Sequence, residues 1–209
     1  MIPKIDLHIH TTFSDGKCTM REVVKIAQDR GVECLAFTDH AFNLDCFGVD
    51  ENTIDEYIHE ANQVKEESSI KVLLGLEAEI PTIDKVMRYR DKLDLLLISN
   101  HGPVRTTFHS AIVNIMKDYN INIIAHPWYI NEADWDKVID VALEHDVAVE
   151  LNSFRKVPEA SIIKHIAGRG LRFSVGSDAH FQSEIGKVEW AYGMLEELDL
   201  GSESLIKLP

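Results

Sequence analysis

The residues best suited to chemistry are histidines and carboxylates that stand two positions apart. His8 and His10 occur in IDLHIH, and Asp178 and His180 occur in GSDAH near the other end of the chain. Side chains at i and i+2 of a β-strand point to the same side, so each pair can hold one ion if its segment is a strand. One such pair could equally be two buried core histidines. Two pairs in one chain favour metal binding.

Imidazole and carboxylate groups also end most of the other apolar runs. His40 ends ECLAFTDH, Glu77 lies near the end of KVLLGLEAEI, His101 ends LDLLLISNH and His126 lies in INIIAHP. Asp15 follows the first run in a Ser-Asp-Gly turn. The candidate metal ligands are His8, His10, Asp15, His40, Glu77, His101, His126, Asp178 and His180. One further run ends with Glu150 and Asn152, to which the pattern assigns no role.

The chemistry of these ligands narrows the choice of ion. The set contains no cysteine, which favours a catalytic zinc, manganese or iron site over a closed structural zinc site. The set is too large for one ion, so we expect two to three divalent ions, with a carboxylate such as Glu77 bridging a pair. Clusters of this kind hold a hydroxide between ions and stabilise in-line displacement at phosphorus.

Seven apolar runs alternate with stretches of helical periodicity. The runs cover 4–10, 33–40, 71–80, 93–101, 121–127, 147–153 and 172–180, and the helical stretches cover 20–31, 53–67, 108–120, 132–146, 159–170 and 184–198. The connection 81–92 has the weakest helical pattern. Strict alternation predicts parallel strands joined by helices, and ligands at the strand ends converge when such a sheet closes into a barrel. We expect an α/β barrel of seven strands, with residues 1–209 forming a single domain.

Composition excludes several classes of protein. The 209 residues are 45% hydrophobic and 27% charged, without the run of about 18 apolar residues that a membrane span needs. The N-terminus lacks the apolar region of a secretory signal, and Cys18, Cys34 and Cys46 fit reduced thiols of a cytoplasmic protein. A net charge of −14 argues against a long nucleic-acid partner but allows a small phosphorylated substrate at a metal cluster.

The segments DLHIHTTFSDG, FTDH, GLEAE, SNHG, AHP and GSDAH resemble the ordered motifs of the PHP family, the phosphoesterase domain of polymerases and histidinol phosphatases. The resemblance runs from residue 6 to about residue 186. It implies a distorted (β/α)7 TIM-like barrel with a trinuclear metal site. By motif, it gives His8, His10, Glu77 and Asp178 to a first metal, Glu77, His101 and His126 to a second, and Asp15, His40 and His180 to a third. The catalytic residues expected on this basis are Asp15, His40, Glu77, Asp178 and His180.

Other polar residues near the strand ends have two interpretations each. Arg155 and Arg105 lie on loops expected at the face that carries the ligands, where an arginine fork suits a substrate phosphate. Loop cations also commonly face solvent. Asp6 and Asp39 precede candidate ligands, so they could orient imidazoles or hydrogen-bond to the backbone.

The leading functional hypothesis is a metal-dependent phosphoesterase that hydrolyses a small phosphomonoester, histidinol phosphate-like or a nucleotide, with a metal-bridging hydroxide as nucleophile. The first alternative is a nuclease or phosphodiesterase acting on short oligonucleotides or nucleotides. A non-catalytic module associated with a polymerase and a metal-dependent amidohydrolase are the remaining alternatives. Under the leading hypothesis the partner is a small phosphorylated substrate, with no long nucleic acid and no membrane.

Overall fold

A parallel sheet forms the centre of the molecule. The computed structural model describes residues 2–42, 47–101 and 108–209, without the side chains of Phe108 and His109. Its strands are β1 (Ile5–Ile9), β2 (Cys34–Phe37), β3 (His40–Ala41), β4 (Lys71–Glu79), β5 (Leu95–Ser99), β6 (Ile123–Ile124), β7 (Ala148–Asn152) and β8 (Phe173–Gly176). The order across the sheet is β1-β2-β4-β5-β6-β7-β8, and the two-residue β3 pairs with β4 beyond the end of β2.

The sheet curves until its two outer strands meet. The backbone N–H of His10 donates to the carbonyl of Ala179 at 2.9 Å, and that of Ala179 donates to the carbonyl of His8 at 3.4 Å. The closing backbone hydrogen bonds therefore come from the segment just after β8, although β1 and β8 lie side by side. The prediction of a seven-stranded barrel is confirmed, with β3 as a short extension.

Helices surround the barrel in the described ranges. They are α1 (Met20–Asp29), α2 (Ile54–Glu67), α3 (Ile83–Met87), α4 (Phe108–Asp118), α5 (Trp135–Glu144), α6 (Ala160–Gly168) and α7 (Glu189–Glu197). The shortest, α3, occupies the connection with the weakest helical pattern and is flanked by 3₁₀ turns. None of these helices has the length and apolar character needed to cross a bilayer.

Helix α1 shows how the sequence sets these elements. Thr19 and Glu22 form a capping box, in which the Thr19 hydroxyl accepts from the Glu22 N–H and the Glu22 carboxylate accepts from the Thr19 N–H at 2.8 Å. Val23, Val24 and Ala27 are buried against the barrel, as their spacing predicts. The barrel strands are buried on both faces, which accounts for their nearly continuous apolar sequences.

Every strand is shorter than its predicted apolar run, and the runs 33–40 and 121–127 show a physical reason. The run 33–40 divides into β2 and β3 at Thr38 and Asp39, whose side chains bond the neighbouring backbone. Thr38 accepts a hydrogen bond from the N–H of Ile9 in β1, and Asp39 accepts one from the N–H of Thr11 in the loop after β1. The run 121–127 yields only β6, since His126 has a left-handed backbone with φ of 25°. Both interruptions lie beside candidate ligands, His40 and His126. The irregular backbone at these points orients the two imidazoles toward the other ligands.

Candidate metal centre

The structure brings all nine candidate ligands together at the C-terminal end of the barrel. They divide into four overlapping groups, and in each group the ligand atoms lie within 4.8 Å of one another. The groups are His10, Asp15, His40 and His180; His8, His10 and Asp178; His8, Glu77 and His126; and His40, Glu77 and His101. One ion cannot contact all of these atoms, whereas two or three ions can share them.

Glu77 lies at the centre of the cluster and is fully buried. Its Oε1 lies 2.8 Å from Nε2 of His126 and 3.7 Å from Nε2 of His101. Its Oε2 lies 2.8 Å from Nδ1 of His40 and 3.5 Å from Nε2 of His8. Because the two oxygens face different imidazoles, this carboxylate has the placement of a bridge between two ions.

A second set of contacts joins the first strand to the segment after the last. Nε2 of His8 lies 3.1 Å from Nε2 of His10. Oδ1 of Asp178 lies 3.7 Å from the first of these nitrogens and 3.5 Å from the second. The two nitrogens and one oxygen therefore point at a common space, which is the arrangement expected of an ion shared by β1 and the closing segment.

The third set of contacts surrounds Asp15 and faces solvent. Oδ1 of Asp15 lies 3.2 Å from Nε2 of His180, 3.7 Å from Nε2 of His40 and 3.9 Å from Nδ1 of His10. The side chains of Asp15 and His180 are 40% and 27% exposed, so this part of the cluster is open to a substrate. His10 presents one ring nitrogen to this set and the other to Asp178, a sharing that the motif assignment does not contain.

Asp39 holds the loop that carries Asp15. Its Oδ1 accepts from the N–H of Thr11 at 2.7 Å and from the hydroxyl of Ser14 at 2.6 Å. In the same loop a Cβ at Gly16 would overlap the carbonyl group of His10, so glycine allows the turn to fold back over β1. Of the two interpretations of Asp39, the structure favours hydrogen bonding to the backbone.

Asp6, on β1, has the same role for the segment that follows β8. Its carboxylate accepts from the N–H of Ser177 at 2.8 Å and from the N–H of Gly186 at 2.8 Å, which fixes the segment containing Asp178. Burial raises the pKa of Asp6 to about 6, although the bonds from Ser177 act in the opposite direction. Asp6 and Asp39 therefore anchor ligand-bearing loops rather than imidazole rings.

Several buried polar atoms of the cluster have no hydrogen-bond partner in the described part of the chain. They are Nδ1 of His10, Oδ1 of Asp15, Nδ1 of His40, Oε2 of Glu77 and Nδ1 of His126. The 2.8 Å contact between His40 and Glu77 lacks the angles of a hydrogen bond. An unsatisfied buried polar group costs about 1–3 kcal/mol, and native proteins hold few of them. All five atoms belong to candidate ligands, and a divalent cation would satisfy such lone pairs. The residues present therefore fit a metal cluster.

The protonation states also suit metal binding. Burial by itself would raise the pKa values of Glu77 and Asp178, but the neighbouring imidazoles, His8 foremost, hold both well below the ordinary range. Burial lowers the pKa of His10 to about 3. At neutral pH the two carboxylates are thus ionised and His10 is neutral. Burial by itself would lower the pKa of His8, but Glu150 and Glu77 raise it well above the ordinary range, so a cation bound there would displace a proton.

The two arginines predicted to meet a phosphate have different outcomes. Arg155 follows β7, and its Nε lies 3.5 Å from Oδ2 of Asp178 while its side chain is 38% exposed. Its backbone N–H donates to Oδ1 of Asn152 at 2.8 Å, which holds the residue at the edge of the cluster. Arg105 lies outside the described residues.

Two carboxylates at the site were not assigned a role from the sequence. Oε1 of Glu79 lies 3.1 Å from Nδ1 of His101, and Oε1 of Glu150 lies 2.8 Å from Nδ1 of His8. Glu79 stands two residues after Glu77 on the same strand, so both side chains lie on one face of that strand. This spacing could have indicated from the sequence that Glu79 lies at the site. The position of Glu150 at a strand end was visible too, but its partner lies 142 residues away in sequence.

Known proteins provide an independent comparison. The family model described as PHP domain matches residues 6–155. A probable phosphatase of Shewanella loihica is 30% identical over 226 residues, covering 97% of this chain and 88% of the relative. A probable phosphatase of Acetivibrio thermocellus is 30% identical over 223 residues, covering 95% of this chain and 88% of the relative.

The fold has a close counterpart among solved structures. The histidinol phosphate phosphatase of Lactococcus lactis, complexed with zinc, L-histidinol and phosphate, aligns with a TM-score of 0.78. The alignment covers 99% of this chain and 100% of that one at 19% identity, which shows a shared fold. The family match, the curated relatives and the ligand-rich barrel end together show that the chain belongs to the PHP domain family and is a metal-dependent phosphoric ester hydrolase.

Proposed function

We propose that this protein hydrolyses a small phosphomonoester, histidinol phosphate-like or a nucleotide, at a cluster of two to three divalent transition-metal ions. The observation that carries the proposal is the buried Glu77 carboxylate, whose two oxygens face separate imidazole sets. A bridging carboxylate is the usual device for holding two ions close enough to act on one phosphate. The names of the curated relatives, probable phosphatases, support the same conclusion.

The residues that would hold the ions are those of the cluster: His8, His10 and Asp178; Glu77, His101 and His126; and Asp15, His40 and His180, with Glu77 shared. When bound, zinc, manganese or iron polarises phosphoryl oxygens and supplies the activated hydroxide that an in-line displacement at phosphorus requires. His8, His40 and Glu77 stand on strands, and Asp39 and Asp6 hold the loops that carry Asp15 and Asp178. These ligands are therefore positioned before the substrate arrives.

The chain's own cation completes phosphate recognition in this proposal. Arg155 carries its guanidinium beside Asp178, so it is oriented toward the cluster while remaining accessible. A planar guanidinium donates two parallel hydrogen bonds to a terminal phosphate, whose charge is close to −2 near neutral pH. The open side of the cluster, at Asp15 and His180, leaves room for the alcohol part of the substrate.

A phosphodiesterase acting on short oligonucleotides or nucleotides is the second candidate, since the same cluster can attack a diester. The net charge of −14 opposes the binding of long strands but not of a dinucleotide. An amidohydrolase fits less well because the family match favours a phosphoesterase. A non-catalytic polymerase module fits less well because the unpartnered ligand atoms favour occupied metal positions.

The test is an assay of metal-stripped protein reconstituted separately with zinc, manganese and iron(II). The panel contains histidinol phosphate, nucleoside monophosphates, bis-p-nitrophenyl phosphate, a dinucleotide and an N-acyl amino acid. We expect metal-dependent release of inorganic phosphate from a monoester, and loss of this activity in Glu77→Gln. Higher kcat/KM on the diesters would establish the second candidate instead. Turnover of the amide alone would overturn both.

We also propose that the protein acts in a reducing compartment, the cytoplasm, as a single domain. Cys18 and Cys34 are buried and free, in agreement with a protein that keeps its thiols reduced. One hydrophobic core spans the described residues from Ile5 to Leu205, which supports the single domain.

A further inference from the structure

The carboxylate of Glu150, at 1% exposure, is buried beside the metal centre without belonging to any of its ligand groups. Its Oε1 accepts from Nδ1 of His8 at 2.8 Å. Its Oε2 accepts a short hydrogen bond from the backbone N–H of His126 and a second, at 3.1 Å, from the side-chain amide of Asn152. Both oxygens of this carboxylate are therefore engaged.

The contact with His8 decides which ring nitrogen faces the metal centre. A histidine that binds a metal through Nε2 keeps its one proton on Nδ1, and the carboxylate of Glu150 is placed to accept a hydrogen bond from that nitrogen. Nε2 is then left with its lone pair, directed at Oδ1 of Asp178 at 3.7 Å and Oε2 of Glu77 at 3.5 Å. A carboxylate behind a ligating histidine also raises the basicity of the ring.

The contact with His126 supports an unfavourable backbone conformation. His126 has φ of 25°, a left-handed conformation that is unfavourable for a residue with a side chain and persists only where surrounding contacts hold it. Glu150 binds the N–H of this residue directly, at the point where β6 ends. The conformation brings Nε2 of His126 to 2.8 Å from Glu77.

The neighbouring strand is shaped to admit this carboxylate. A Cβ at Gly176 would overlap Oε1 of Glu150 and lie 2.6 Å from Cβ of His8. Real Cβ atoms do not approach other heavy atoms that closely, so only glycine at this position leaves Glu150 and His8 in contact. The side-chain amide of Asn152 continues the network to Oδ2 of Asp178 at 3.3 Å.

We infer that Glu150 is a positioning residue that holds His8 and His126 at once, so that one buried carboxylate organises ligands of more than one metal position. The inference rests on the metal centre proposed above. Glu79 offers a matched comparison, because it contacts the ring of only one candidate ligand, His101, and its side chain is 18% exposed.

The experiment compares Glu150→Gln with Glu79→Gln. A glutamine at 150 keeps one acceptor, but it turns an N–H₂ group toward either His8 or the donors of His126 and Asn152, so one contact is lost. Zinc binding is measured for each ion by competition with a chromophoric chelator, and circular dichroism and Tm of the metal-stripped proteins check the fold. We expect affinities weakened by about 10–100-fold at two or more positions in Glu150→Gln and at one position in Glu79→Gln.

Two further measurements separate positioning from general stability. Gly176→Ala keeps the carboxylate but blocks its place, so we expect the same pattern of weakened zinc binding from a chain that still carries Glu150. The visible absorption of the cobalt(II)-substituted protein reports ligand geometry, and at equal occupancy it should differ between wild type and Glu150→Gln. Wild-type zinc affinities in either the Glu150 or the Gly176 variant would overturn this inference and leave the proposed metal centre standing. A wild-type protein that binds no zinc would overturn the metal centre with it.

Discussion

Nε2 of His126 lies 2.8 Å from Oε1 of Glu77, and neither side chain is exposed to solvent. The two residues belong to strand ends separated by β5, so barrel curvature and not local sequence creates the contact. The other oxygen of Glu77, Oε2, has no hydrogen-bond partner in the described part of the chain. An ion at this position would coordinate the buried oxygen that has no hydrogen-bond partner.

Metal removal is expected to destabilise the protein for this reason. A ligand that binds only the folded state at about 100 times its Kd adds about 2.7 kcal/mol of stability. For a chain of this size that corresponds to a rise in Tm of roughly 5–10 °C. The measurement is calorimetry of chelator-treated protein before and after addition of zinc or manganese. The rise should be smaller in Glu77→Gln, and equal Tm values with and without metal would contradict a buried metal centre.

The ligands contributed by the first strand and the closing segment should be indispensable. His8→Ala and Asp178→Asn each remove an atom from the same group, so both variants should lose nearly all phosphoesterase activity while keeping the fold. Circular dichroism and turnover under saturating metal test this expectation. His165→Ala is the matched control, because His165 contacts Asp136 on the outer helices at 2.8 Å and should leave activity unchanged. Wild-type turnover in either ligand variant would show that this group is wrongly assigned.

The sequence predicted those parts of the molecule that follow from short-range periodicity. The spacing of His8 and His10 placed both rings on one side of β1, and the alternation of apolar runs with helical stretches gave the barrel. The contact between Glu150 and His8 could not be predicted in this way, since the two residues are 142 positions apart and meet only after closure. The left-handed backbone of His126, which shortens β6, is likewise a tertiary effect.

Cys34 should be unreactive in the folded protein. Burial raises the pKa of its thiol to about 11 from 9.0, so near pH 8 the thiolate population lies about a hundredfold below that of an ordinary thiol. Iodoacetamide labelling followed by peptide mass spectrometry should show slow modification in the native state and rapid modification in urea. The Cys34 thiol loses its proton near pH 9 in the unfolded chain and near pH 11 in the folded protein. Its contribution to the free energy of unfolding is therefore present below about pH 9 and is lost as the pH rises to about 11. Rapid labelling at pH 8 would contradict this burial.

Arg155 provides the test that separates the two substrate classes. Its Nε lies 3.5 Å from Oδ2 of Asp178 with the side chain 38% exposed, so the guanidinium can contact a bound phosphate. A phosphomonoester carries close to two negative charges near neutral pH, and a diester carries one. Loss of a hydrogen bond to a charged group costs about 1.5–3 kcal/mol, so Arg155→Ala should lower kcat/KM on the monoester by about tenfold to over a hundredfold. The loss on bis-p-nitrophenyl phosphate should be smaller.

The neighbouring Lys156 makes this comparison specific to position. Lys156 carries the same charge on the same loop and is exposed. Arg155, and not Lys156, is the residue paired with Asp178. If recognition depends on the two parallel hydrogen bonds of the Arg155 guanidinium, Lys156→Ala should retain most of the wild-type kcat/KM. Arg155→Lys should recover only part of the activity lost in Arg155→Ala, because an ammonium cannot form two parallel hydrogen bonds. Equal losses of kcat/KM on the monoester and the diester in Arg155→Ala would mean that Arg155 does not bind the second charge of a monoester. Equal effects at both positions would attribute the contribution to the general field of the loop.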